Sequence, residues 1–313
     1  MIKILMAAIP GGDRGPAIGY RQHLAALLSS PDFKIDLLTQ EMWSNPSLMR
    51  QYDVVWGYVR FHQDILKRCN DYKIPFISGP NVVLERGDLG PSDDWEKWFF
   101  EEAKIDVNLN VANYYTDRVK SFVKTNMKCK TLEYCYEDSE IEKDLETERE
   151  FDVLIYSKNR VQDNRASEIA KLLDSSLKNL NLKTVTIDYG DYPRKFYTEL
   201  CKKSKVAAWL AIEDYCSLGQ IEMMLSGCRI IGTPWNLTIP TFYEDKCHES
   251  QTISSKNWIQ WNSNEEIISD YTKKIVSVLS QENLAKETCN RSKQRFSYEY
   301  YRRNVKSLIE EII

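Results

Sequence analysis

This chain of 313 residues has no C-x-x-C pair, no histidine cluster, no basic excess and no long apolar run, and each absence removes a class of function. The eight cysteines (Cys69, Cys129, Cys135, Cys201, Cys216, Cys228, Cys247 and Cys289) are dispersed. That spacing offers neither a zinc site nor a disulfide framework and suits reduced thiols in a cytoplasmic protein. His23, His62 and His248 stand too far apart to suggest a metal cluster. A formal net charge of -4 provides no counterion-release drive toward nucleic acid. The nearest thing to a basic cluster, Lys124, Lys128 and Lys130, reads as the solvated end of a helix. The apolar start MIKILMAAIP is too short for a membrane span or a signal h-region. It ends in the turn residues Pro10-Gly11-Gly12 and reads as a buried first strand.

What is present describes a well-packed α/β protein. A hydrophobic content of 42% excludes intrinsic disorder, and the length allows two medium domains. In the first half, strand patterns at Ile2–Ala8, Phe33–Leu38, Asp53–Trp56, Ile74–Ile77 and Asp106–Leu109 alternate with helical ones, among them a helix from Asn113 to Val123. Between Glu133 and Glu150 nine acidic residues face only Lys143 and Arg149. Such a stretch adds little core, which places a domain boundary near residue 140; a long charged surface helix is the other reading. The alternation then restarts with strands at Phe151–Tyr156, Thr184–Ile187, Val206–Ile212 and Arg229–Gly232. Ile169, Leu172, Leu173, Leu177 and Leu180 mark an amphipathic helix, and Val305, Leu308, Ile309 and Ile312 mark another at the C-terminus. Strands alternating with helices predict parallel, doubly wound sheets with right-handed crossovers.

The stretch most informative for chemistry is IEDYCSLGQIEMMLSG, residues 212–227. A buried strand ends at Glu213 and Asp214, a turn of small residues follows, and a helix beginning near Gln220 stops at Gly227. Ligands of open parallel sheets sit beyond the carboxyl ends of the strands, where free helix-start amides favour an anion. Glu222 could then reach vicinal hydroxyls of a ribose or sugar. The same residues also fit an ordinary N-cap at Ser217 with a dipole-compensating first-turn acid.

Asp214 and Glu222, separated by seven residues and followed by MMLSGCRIIGTP, resemble the donor-site signature of retaining glycosyltransferases of family four. In that family the first acid sits by the transferred sugar, the turn amides hold the diphosphate, and the second acid holds the nucleotide ribose. By position these roles fall to Asp214, to Ser217, Leu218 and Gly219, and to Glu222. The family's usual first acid, Glu, is Asp here, with Glu213 beside it, and its Phe-Gly turn is Cys216-Ser217. Lys158 and Arg160, with Arg165 one helical turn on, stand where the family aims cations at the diphosphate. Gly11 and Gly12 resemble its glycine-rich loop facing donor phosphates and acceptor. His62 lies near the place of a family histidine close to the reacting sugar, although a surface histidine starting a helix is the reading its sequence favours. Asn81 occupies a second such place.

The resemblance implies an α/β protein of two Rossmann-like doubly wound domains facing a cleft, the GT-B type. Its domains would span residues 1–140 and 141–295, with a C-terminal helix, 296–313, crossing back to the first. It implies a retaining hexosyltransferase with a nucleoside diphosphate-sugar donor, GDP-mannose favoured over a UDP-sugar, and a glycan, glycoconjugate or other hydroxyl acceptor. No cofactor and no metal are expected, since no Asp-x-Asp cluster is present. A homodimer is compatible with this reading. A sugar-nucleotide epimerase of the same fold and an inactive sugar-nucleotide-binding protein are the alternatives.

Overall fold

The stretch Ile4–Met6 is apolar at three successive positions because both its faces are covered. Ile4 and Met6 pack in one core cluster and Leu5 in another. Val54 and Trp56 likewise belong to the first cluster and Val55 to the second. Near-continuous hydrophobic strands of this kind are the mark of a parallel sheet with helices on both sides.

The computed structural model describes residues 1–7, 15–58, 61–80, 93–111, 113–137, 145, 148–159, 164–190, 192–211, 218–232, 263–281 and 285–313. The chain divides into two compact units, Met1–Glu137 with Phe296–Ile313, and Asp138–Arg295. In the first unit the described strands are β1 (Ile2–Met6), β2 (Phe33–Leu37), β3 (Val54–Gly57), β4 (Phe76–Ser78), β5 (Val107–Asn110) and β6 (Lys128–Thr131). They form a parallel sheet of order β2-β1-β3-β4-β5-β6. Its helices are α1 (Gly15–Leu28), α2 (Gln40–Ser44), α3 (Gln63–Tyr72), α4 (Asp94–Glu101) and α5 (Asn113–Phe122). In the second unit β7 (Phe151–Lys158), β8 (Thr184–Asp188), β9 (Ser204–Ala211) and β10 (Arg229–Gly232) form a parallel sheet of order β10-β9-β7-β8. The intervening helices are α6 (Arg165–Asn179), α7 (Arg194–Lys203) and α8 (Leu218–Leu225), followed by α9 (Asn264–Leu279) and α10 (Ala285–Phe296). The doubly wound α/β class expected from the alternating pattern is the class observed. No helix among the described residues is long and apolar enough to cross a membrane.

Lys128 and Lys130 do not end a helix. They lie on β6, the edge strand of the first sheet, and both reach Glu311. Lysines on an edge strand discourage pairing with another chain, and the sequence KCKT has too little apolar alternation to announce itself as a strand. The last helix, α11 (Tyr298–Glu310), packs on the first unit. Tyr301, Val305, Leu308 and Ile309 enter the same cluster as α1 and β1, while Arg302 and Lys306 reach Ser29 and Asp32.

His23 on α1 is fully buried in this cluster. Its ring stacks on Tyr301 at 4.6 Å and Tyr134 at 5.4 Å, with Tyr20 and Tyr58 around it. Burial pushes its pKa down to about 3. An unfolded imidazole takes up its proton near pH 6.5, so between roughly pH 6.5 and 3 the unfolded chain binds the extra proton and stability falls as the pH falls. The slope from this residue is at most about 1.4 kcal/mol per pH unit, and it contributes none above the unfolded pKa. In urea melts across this range the stability of wild type relative to His23→Phe should therefore fall as the pH is lowered. A constant difference would show that His23 is not the titrating group.

Candidate functional site

The order of the second sheet creates a switch point between β7 and β9, from which chain connections leave in opposite directions. Open α/β sheets bind ligands outside the carboxyl ends of the strands at such a point. The registers run to Lys158↔Ala211, so the last residue of β7 and the last of β9 are neighbours there. Lys158 stands at that edge with its Nζ 4.8 Å from the ring centroid of Tyr189, which is itself 51% exposed just past β8. The segment carrying Asp214 and Ser217 begins immediately after Ala211. Asp214, Ser217, Arg160, Gly11, Gly12 and Asn81 lie outside the described residues.

Helix α8 starts at Leu218, earlier than the sequence pattern suggests, so Leu218 and Gly219 form its first turn and Glu222 falls in the second. Residues from Gln220 to Leu225 are all buried, which explains why the helix reads as apolar around its circumference. A carboxylate in such a helix is costly without a cation. Arg194, the first residue of α7, supplies it. Its Nε and Nη2 approach Glu222 Oε1 at 2.9 and 2.7 Å, and the glutamate side chain is only 8% exposed. One turn on, the Tyr197 hydroxyl donates to the Gly219 carbonyl at 2.6 Å. Helix α7 thus clasps α8 at two successive turns, by side chain to side chain and by side chain to backbone.

An aromatic wall supports this clasp. Tyr156 of β7 and Trp209 of β9, paired in register, stack at 4.0 Å with their planes 9° apart. Tyr197 meets the edge of Tyr156 at 6.0 Å, and Tyr192 stacks on Tyr197 at 5.3 Å. Burial pushes the Tyr192 phenol up to about 12 and raises that of Tyr197, with Glu222 adding to both. Neither phenol ionises near neutrality, so their role is to shape and to donate hydrogen bonds.

The junction of β7 with α6 is held by a second polar set. Asp188 Oδ1 accepts from the hydroxyls of Ser157 and Ser167, the latter at 2.8 Å. Asn159 accepts from the Ser167 amide at 3.1 Å and donates to its hydroxyl at 2.6 Å. The Asn159 side chain therefore caps α6 from eight residues upstream, satisfying an amide the helix leaves without an internal partner. This fixes both ends of the connection that carries Arg160. Arg165, at the start of α6, turns toward Asn264 of α9, with Nη2 3.5 Å from Oδ1.

His62 is the N-cap of α3. Its Nδ1 accepts from the Asp64 amide at 3.3 Å, and its side chain is 63% exposed against the edge of Trp43. The structure thus brings Lys158 to the end of β7 and Leu218, Gly219 and Glu222 to α8, while Arg165 reaches toward α9 and His62 belongs to the first unit. Arg194, Tyr197 and Asn159 were not anticipated. Pro193-Arg194 announces only a helix start, and pairing with Glu222 across 28 residues leaves no mark in sequence spacing. Among the described residues no group of three or more His, Cys, Asp or Glu is placed to hold a metal ion.

No family model matches the chain, and no curated protein matches its sequence. Solved structures do match along its whole length. Sucrose-phosphate synthase from Thermosynechococcus elongatus superposes with a TM-score of 0.60 at 10% identity, over 100% of this chain and 99% of that one. The lipopolysaccharide outer core galactosyltransferase WaaB in its apo form gives 0.57 at 10% identity, over 100% of both chains. HepE of Anabaena, in complex with UDP and glucose, gives 0.53 at 9% identity, over 99% of this chain and 100% of that one. At these identities the likeness speaks for the fold, and that fold is the two-Rossmann-domain GT-B type.

Proposed function

We propose that the protein is a glycosyltransferase that takes a sugar from a nucleoside diphosphate-sugar bound on its second unit and passes it to a hydroxyl acceptor. The observation that carries this reading is the placement of Glu222. It is a buried, ion-paired carboxylate on the helix that follows β9, at the switch point where Lys158 also ends its strand. A carboxylate held there suits the vicinal hydroxyls of a ribose, and the start of α8 suits the diphosphate. Lys158 and Arg160 would neutralise the charge that grows on the departing nucleoside diphosphate, the kind of electrostatic contribution that often dominates catalysis. Asp214 would sit by the transferred sugar. Gly11, Gly12 and His62 are the first unit's candidates for contacts to phosphate, sugar or acceptor, and Arg165 is a further cation on the donor side.

The family-four resemblance adds retention of configuration and metal independence to this reading. GDP-mannose, favoured by that resemblance, now stands beside UDP-glucose, because HepE is bound to UDP and glucose. Release of nucleoside diphosphate should be measured for UDP- and GDP-sugars with and without a panel of glycan acceptors. Acceptor-stimulated release from one donor supports the proposal. Conversion of the donor to its epimer without any acceptor would replace it with epimerase chemistry, and no turnover with binding intact would leave a sugar-nucleotide-binding protein.

A further inference from the structure

Two phenols and a thiol that stay neutral stand beside Glu222. Tyr197 and Cys201 of α7 and Tyr192 just before it all lie close enough to be shifted by the carboxylate, and burial raises all three. Arg194 brings positive charge into direct contact, with two nitrogens on one oxygen. A guanidinium that grips a carboxylate oxygen in this way restrains the rotation of the carboxylate. Arg194 is nevertheless 47% exposed, so its head reaches from solvent into the α7–α8 clasp.

We propose that Arg194 is a positioning residue for nucleotide selection: from the first turn of α7 it holds the Glu222 carboxylate turned toward the ribose hydroxyls of the bound donor. The inference rests on the ribose reading of Glu222. Charge-assisted hydrogen bonds to a ribose discriminate against a deoxyribose only while the carboxylate stays charged and in place. Specificity for ribonucleotides would thus be set by a residue that need not touch the sugar.

The test is calorimetric titration with UDP and GDP and with their 2′-deoxy and 3′-deoxy forms. Wild type should prefer a ribonucleotide over at least one deoxy form by about tenfold or more, the preference of one charged hydrogen bond. In Arg194→Gln the preference should collapse toward unity, and Arg194→Lys should restore it in part. An undiminished preference in Arg194→Gln overturns the proposal, as does equal loss of all binding in the Gln and Lys variants. Glu222→Ala separates the two claims. If it removes the ribose preference while Arg194→Gln does not, the positioning role alone fails; if it too leaves the preference intact, the ribose reading fails beneath it.

Discussion

Replacing Arg149 with methionine is expected to cost about 3–5 kcal/mol of stability, from the loss of at least two hydrogen bonds between a charged donor and buried carbonyls. Arg149 is 8% exposed and donates to three backbone carbonyls: Nη1 to Cys201 and Ser204 at 3.1 and 3.0 Å, and Nη2 to Ser226 at 2.7 Å. Cys201 lies in the last turn of α7, Ser204 opens β9, and Ser226 follows α8. A single cation thus gathers carbonyls that two helix ends leave outward, where the helix dipoles also favour positive charge. Burial lowers the pKa of the guanidinium, yet an arginine so far above neutrality keeps its proton. Methionine fills the space and removes three hydrogen bonds from a charged donor, each worth about 1.5–3 kcal/mol, while the Cys201 carbonyl keeps the Ser204 amide. Gly227 belongs to the same arrangement. It turns the chain out of α8 at φ +74, and a Cβ there would lie 2.7 Å from Arg149 Nη2 and 2.9 Å from the Ala285 carbonyl. Equilibrium urea melting of Arg149→Met and Arg149→Lys checks the account. The lysine should recover part of the loss, since it keeps the charge without the fork. A methionine variant as stable as wild type would remove Arg149 as the brace of the α7–α8 pair.

The second large effect concerns binding. Glu222→Ala should weaken nucleotide affinity about a hundredfold or more, because a carboxylate that accepts from two ribose hydroxyls loses two charged hydrogen bonds of about 1.5–3 kcal/mol each. The fold should survive the change. The partner left behind, Arg194, is half exposed and can return to water, while the Glu222 carbonyl keeps its bonds from the Ser226 amide and hydroxyl. Stability and affinity are therefore expected to separate: Arg149 variants melt early, and Glu222 variants melt normally but bind poorly.

The doubly wound class was legible because parallel strands buried on both faces are written as apolar runs such as Ile4–Met6 and Val206–Leu210. Elements whose stability comes from elsewhere were harder to read. Strand β6 carries two lysines in four residues and exists through its pairing with β5 and the reach of its lysines to Glu311. Helix α7 has three lysines and an arginine among ten residues, and earns its place by burying Tyr197, Leu200 and Cys201. In the site, Glu222 stood out because acid, turn and helix follow one another along the chain. Arg194 and Asn159 did not, since their partners lie on other elements and only the folded sheet brings them together. His23 reads in sequence as a lone histidine; Tyr20 shares its helix, but Tyr58, Tyr134 and Tyr301 come to it from three other segments.

The central claim is a sugar-nucleotide site built on α8 of the second unit, and calorimetric titration of wild type and Glu222→Ala with UDP-glucose, GDP-mannose and the parent UDP and GDP tests it most directly. Micromolar binding of one nucleotide to wild type, weakened about a hundredfold in the folded variant, is the predicted result. Equal affinity in the two proteins, or no binding to wild type at millimolar concentration, would contradict it.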